Sequence, residues 1–199
     1  MAERSQPHIV AIAGPNGAGK STFARGAISR IGISSYVNAD VIAQGLAGLH
    51  TESVAIEAGR IMLERLRELA RQRANFAFET TLSARSLAPW IDGLRQSGYA
   101  FELVFVTLRD PDLAVERVNF RVALGGHHVP EGDVRRRFHR AIRNFFDLYQ
   151  PLADRWSVFD NSFATMQPLL VAMGAGRSRL DIIDSELWSR FRSQSNAAP

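Results

Sequence analysis

The residues with the clearest chemical potential are Gly14-Pro15-Asn16-Gly17-Ala18-Gly19-Lys20-Ser21-Thr22. Their spacing fits G-x-x-x-x-G-K-[ST], in which glycines let successive backbone N–H groups turn toward one point. A helix starting here adds the partial positive charge of its N-terminus at the same place. That arrangement suits a di- or triphosphate. Lys20 reaches the outer phosphates and Ser21 offers its hydroxyl to Mg²⁺. Of the 24 basic residues, Lys20 is the only lysine. A compact ammonium on a flexible stem fits between phosphate oxygens where a planar guanidinium does not. The expected cofactors are therefore ATP or GTP with Mg²⁺, gripped by residues 14 to 22.

Such a cradle needs charged partners opposite it. Asp40, Glu79-Thr80-Thr81, Arg109 and Asp160-Asn161 each follow an apolar run that reads as a strand. In an open parallel sheet, ligands bind beyond the carboxyl ends of the strands. Asp40 is the candidate general base or orienter of an acceptor hydroxyl, and the alternative is an N-cap for Val41-Ile42-Ala43. Glu79 is expected near Ser21, as a water-mediated metal ligand, a binder of sugar hydroxyls or simply part of a capped turn. Thr81 is a candidate donor to substrate oxygens, and Asn161 is counted with the nucleotide-binding residues. Arg117 and Arg121, at i and i+4 on one helix face, are candidates to neutralise transferred phosphate. Gly125-Gly126 precede His127 and His128, and then come Arg135-Arg136-Arg137, Arg140 and Arg143. A glycine pair between arginine-bearing helices resembles a lid, approximately residues 123 to 143. The alternative is a solvated basic face pairing with Glu116, Glu131 or Asp133. His127 and Arg137 are taken as candidate substrate contacts, and metal binding by the histidine pair lacks supporting carboxylates at suitable spacing.

Five short apolar runs alternate with amphipathic stretches and so position these residues. Strands are expected at 9–13, 35–39, 75–78, 101–108 and 156–160, and helices after the glycine loop, over 52–73, about 86–97, 110–122 and 133–149. This alternation predicts a three-layer α/β sandwich, a mostly parallel five-stranded sheet wrapped by helices. Residues 169–173 and 179–183 read as a C-terminal hairpin, 186–192 as a short helix, and 193–199 as a frayed tail. With 199 residues and 46% hydrophobic residues, one domain is expected.

Composition narrows the class further. No apolar run approaches the roughly 20 residues that span a bilayer, and MAERSQPH lacks a signal-peptide core. The absence of cysteine excludes disulfides, thiolate metal sites and cysteine nucleophiles. A cytoplasmic protein without membrane association is expected. The net charge of +4 could suggest nucleic acid, but the arginines are spread along the chain and anionic nucleotides explain a basic cleft equally well.

GPNGAGKST, NAD with Asp40, FETTLS from Phe78 to Ser83, the paired arginines from Arg117 to Val122, GGHHVP, RRRF and LADRWSVFDNS from Leu152 to Ser162 together resemble the zeta-toxin-like family of P-loop kinases. The likeness is to its branch of small kinases or ATPases with GGHxVP and DNS motifs, and it runs to about Asp184. It implies a P-loop NTPase fold and transfer of the γ-phosphate of ATP or GTP to a small-molecule hydroxyl. In zeta toxins the acceptor is UDP-N-acetylglucosamine, and an antitoxin is the implied partner. By the same resemblance the catalytic base falls on Asp40, the substrate-binding acid and hydroxyl on Glu79 and Thr81, and the first phosphate-binding arginine on Arg117. The second arginine falls where this chain has His127, an imidazole that is neutral for much of the time near pH 7. Arg121 or Arg137 is the candidate replacement, a slower reaction or a different substrate being the alternatives. A second class, ABC-like ATPases, shares the glycine loop but requires an LSGGQ signature and a strand ending in Asp-Glu, and neither occurs here. A third is a nucleotide-dependent binding module acting with a partner or DNA.

Overall fold

The structure, a computed structural model, describes residues 6–28, 32–46, 52–126, 128–163 and 167–196. Its centre is β1 (His8–Ala13), where every residue from Ile9 to Ala13 is at most 1% exposed. In parallel register, Ile9 pairs with Phe76 of β3 (Phe76–Thr80) on one side and with Phe101 of β4 (Ala100–Thr107) on the other. Such a strand must be apolar on both faces, which explains the unbroken run IVAIA. β2 (Ser35–Val37) joins β3 and β5 (Arg155–Asp160) joins β4, both parallel. The expected hairpin, β6 (Leu169–Ala175) and β7 (Arg179–Ile182), continues the same sheet in antiparallel fashion. The sheet among the described residues is therefore seven-stranded and mixed rather than five-stranded, in the order β2-β3-β1-β4-β5-β6-β7.

Alternate residues of β1 divide the core. Val10 and Ile12 face a small cluster closed by α1 (Lys20–Ile28) through Ala24 and Ile28. Ile9, Ala11 and Ala13 face the larger one. That side is covered by α3 (Glu52–Arg71) through Met62, Leu66 and Leu69, by α4 (Leu87–Gln96) through Ala88 and Ile91, and by α5 (Pro111–Ala123), α6 (Glu131–Asn144) and α7 (Ser185–Gln194). The 3.6-residue spacing of those apolar positions turns one face of each helix inward.

Local chemistry sets the helix ends. Asp110 caps α5, its Oδ1 accepting from Leu113 N at 2.7 Å, with Pro111 at the first helical position. Asp184 caps α7 by accepting from the Glu186 and Leu187 N–H groups. The basic helix expected over 133–149 ends at Asn144 and continues as a π-helical turn, Phe145–Tyr149. There Phe145 enters an aromatic cluster with Trp156 and Phe191. α6 buries Val134, Phe138, Ala141 and Ile142 in the main core. The final helix runs to Gln194, two residues into the expected frayed tail. No helix among the described residues is long and apolar enough to cross a membrane.

Candidate functional site

The glycine loop leaves the C-terminal end of β1 and ends where α1 begins, at Lys20. Its three glycines adopt positive φ, +140° at Gly14, +77° at Gly17 and +85° at Gly19. Close packing fixes them as firmly as conformation does. A Cβ on Gly14 would lie 2.0 Å from the Val106 carbonyl oxygen, and one on Gly17 would lie 2.7 Å from that of Ala114. The loop is thus wedged between β4 and α5, and only glycine fits there. Within it, Pro15 O accepts from Ala18 N at 3.3 Å, and Ala18 is fully buried. Asn161, just past β5, donates from Nδ2 to Ala18 O at 2.8 Å, while its own N–H donates to Thr107 O. Its side chain therefore binds the loop backbone.

Lys20 is buried, with Nζ donating to Pro15 O at 3.0 Å and standing 3.7 Å from Glu79 Oε1. Desolvation pushes its pKa below the ordinary lysine value, opposed chiefly by the charge of Glu79 and then by that of Asp40, while Arg121 adds to the lowering. Glu79, near the end of β3, collects three donors on Oε2: Ser21 Oγ at 2.8 Å, Tyr36 OH at 2.7 Å and Asn38 Nδ2 at 2.7 Å. Burial, followed by the Glu79 hydrogen bond, raises the Tyr36 pKa, so its hydroxyl is a donor.

Asp40 lies in the first turn of α2 (Ala39–Leu46). The alternative role as N-cap falls to Asn38, whose Oδ1 accepts from Asp40 N at 2.7 Å. The Asp40 carboxylate instead stands half exposed, 3.7 Å from Arg121 Nη1. Arg117 packs its Cβ beside Gly17, and one turn later on α5 Arg121 reaches the Asp40–Lys20 neighbourhood. The structure thus brings together the glycine loop, Lys20, Ser21, Asp40, Glu79, Arg117, Arg121 and Asn161. Thr22 is exposed on α1. Thr81 shares a hydrogen bond with Ser83 Oγ at 2.8 Å in the loop after β3. Arg137 pairs one turn back with Asp133 at 3.4 Å, on its own helix, and Arg109 pairs with its neighbour Asp110. His127 lies outside the described residues.

Sequence reasoning missed two participants, Tyr36 and Asn38, both bonded to Glu79. Tyr36 and Asn38 alternate along β2 and its exit, a spacing that puts both on one face of an extended segment. Asp160, expected to converge with the other carboxylates, is 2% exposed and paired at 2.6 Å with Arg190 of α7. No local spacing signals that pair, which is 30 residues apart. Among the described residues no group of three or more His, Asp or Glu could cage a metal. The hard oxygens of Ser21 and Glu79 fit a cation such as Mg²⁺ that takes most of its ligands from phosphates and water.

A mostly parallel sheet with β1 running through this glycine loop into a lysine-headed helix defines a P-loop protein. The chain belongs to a family described as an AAA domain, whose model matches residues 9–143. It is 25% identical over 133 residues to an uncharacterised protein of Haemophilus influenzae, covering 67% of this chain and 94% of that one. Among solved structures it resembles a chain of the AvrRxo1-ORF1:-ORF2 complex with ATP. That match has a TM-score of 0.74 and 17% identity, over 100% of this chain and 67% of the other. It also resembles the PezAT chromosomal toxin–antitoxin system of Streptococcus pneumoniae, with a TM-score of 0.63 and 17% identity, over 79% of this chain and 68% of that one. At these identities the likeness to solved structures is one of fold.

Proposed function

We propose that this protein is a P-loop kinase that moves the γ-phosphate of ATP or GTP to a hydroxyl of a small molecule. The observation that carries this reading is Asp40, an exposed carboxylate that no cap occupies, set beside Arg121 at the mouth of the loop that holds Lys20. Phosphoryl transfer needs little covalent help, and positioning and charge neutralisation dominate. Backbone N–H groups of residues 14 to 19 cradle the phosphates, while Lys20, Arg117 and Arg121 neutralise the transferred group. Asp40 accepts the proton of the acceptor hydroxyl. The acceptor's oxygen bonds to the γ-phosphorus as the bond to the β-phosphate oxygen breaks, releasing the nucleoside diphosphate. Mg²⁺ would be held by Ser21, with Glu79 beside it, and would neutralise charge on the phosphates.

The acceptor we favour is a nucleotide sugar such as UDP-N-acetylglucosamine, on the strength of the ordered motifs shared with zeta-toxin-like kinases. An antitoxin-like partner is part of the same reading, supported by the fold shared with PezAT. The test is nucleotide turnover with and without candidate hydroxyl acceptors. A kinase gives acceptor-dependent ADP release with a phosphorylated product, and Asp40→Asn keeps ATP binding while transfer falls about 100-fold or more. Acceptor-independent hydrolysis stimulated by DNA or a protein would refute the proposal in favour of a motor.

A further inference from the structure

Glu79 sits between the two side chains that the nucleotide reading requires most. Its Oε2 is hydrogen-bonded to Ser21, and its Oε1 faces Lys20. Both Lys20 and Glu79 are under a tenth exposed, so little water screens their attraction. A carboxylate and an ammonium free to meet in such a place close to about 2.7–2.9 Å. Here they stand 3.7 Å apart, while Lys20 donates to Pro15 O at 3.0 Å. Tyr36 OH and Asn38 Nδ2 hold the carboxylate back, each donating to Oε2 at 2.7 Å from the β2 side. Asn38 is itself fixed, its Oδ1 capping α2 at Asp40 N. The Tyr36 hydroxyl keeps its proton throughout the ordinary pH range, since burial and the neighbouring carboxylate both disfavour ionisation.

We propose that Tyr36 and Asn38 are positioning residues that hold Glu79 off Lys20, leaving the lysine ammonium available to nucleotide phosphate. This inference rests on the nucleotide-binding reading of the loop. Without the two donors only Ser21 still holds Oε2, from the same helix that carries Lys20, and the Glu79 carboxylate turns onto Lys20 and becomes an intramolecular competitor for the position of the phosphate. Two features follow that a merely structural role does not produce. The effect is transmitted only through a charged Glu79, and it persists without metal, because the contested group is the lysine.

The experiment is calorimetric titration of the full chain with ATP, in magnesium buffer and in EDTA, with thermal unfolding recorded for each variant. Tyr36→Phe, which keeps the ring and removes one donor, weakens ATP binding about tenfold in both buffers while the protein stays folded. Asn38→Asp keeps the cap acceptor for Asp40 N, replaces the donor with a like charge, and shows the same loss. In a Glu79→Gln background, Tyr36→Phe changes affinity less than twofold, because a neutral amide does not compete for the ammonium. A loss that persists undiminished in that background, a loss confined to magnesium buffer, or unchanged affinity in both single variants overturns the inference. Wild-type protein that takes up no ATP overturns the nucleotide reading as well, which separates the two failures.

Discussion

Replacing Asn161 separates bracing of the phosphate loop from direct contact with nucleotide. Its Nδ2 donates to Ala18 O at 2.8 Å across 143 residues of sequence, and Ala18 is fully buried. Asn161→Ala leaves that carbonyl without its partner in a place water does not readily reach, at a cost of about 1–3 kcal/mol. For a chain of this size, each kcal/mol shifts Tm by about 2–4 °C, so a Tm loss of about 2–12 °C is expected. Because the same bond holds the loop in shape, ATP affinity falls with stability. The side chain also fills the space over Gly19, where a Cβ would lie 2.5 Å from Nδ2, so its removal frees the segment ahead of Lys20. Asn161→Asp makes the sharper comparison, because it sets a carboxylate against a carbonyl oxygen next to the phosphate site and weakens ATP binding further than alanine does. The assays are thermal unfolding by circular dichroism and calorimetric titration with ATP. Asn161→Ala with wild-type Tm and weakened ATP binding would place the amide on the nucleotide and refute the bracing argument. No change in either measurement would remove Asn161 from the site altogether.

Lys20→Met is expected to weaken ATP binding about a hundredfold or more, since it removes the cation that the glycine loop itself supplies to the outer phosphates. It should also raise Tm. The folded-state pKa of Lys20 lies below its unfolded value, so the buried ammonium opposes folding most strongly at low pH. Wild-type stability from this group therefore rises as pH climbs from the folded pKa toward the unfolded one, and the difference in Tm between the two proteins narrows across that window. A variant less stable than wild type at neutral pH would contradict this. Gly14→Ala drives a methyl to 2.0 Å from the Val106 carbonyl oxygen at φ +140°, so a destabilisation of roughly 2–6 kcal/mol is expected by denaturant unfolding. Wild-type stability in that variant would mean that β4 and the loop are not held together as described.

Most of the fold was legible because its signals are local. The run from Ile9 to Ala13 is apolar without alternation, and only a strand with a neighbour on each side and a covered layer on each face accounts for it. Asp110-Pro111 announced α5, and the two apolar runs at 169–173 and 179–183 announced the last two strands. What could not be read was where elements from distant parts of the chain meet. The hairpin was visible as a hairpin, but its attachment to β5 depends on Trp156 meeting Gly174, where a Cβ would lie 2.5 Å from the indole. The basic helix was visible as basic, yet its burial against the sheet depends on Val134, Phe138 and Ile142, whose partners lie elsewhere in the sequence. The arginines interspersed among those residues hide that apolar face from a reading of charge alone.

The site divides in the same way. A glycine loop carries its own signature, because the backbone that binds phosphate and the residues that permit its shape are contiguous. Glu79 was placed near Ser21 by the rule that ligands gather at strand ends, and it lies there at 2.8 Å. Its charge environment was illegible, since it comes from three separate elements. Ser21 lies in the first turn of α1, Tyr36 belongs to β2, and Asn38 leads into α2. Each of the three has an ordinary structural reason to be where it is, whether at a helix start, in a strand or as a cap. Their convergence on one carboxylate oxygen is a property of the sheet order, because β2 reaches β1 only across β3. Moving β2 elsewhere in the sheet would leave the loop, Lys20 and Asp40 recognisable in sequence while removing what keeps Glu79 and Lys20 apart.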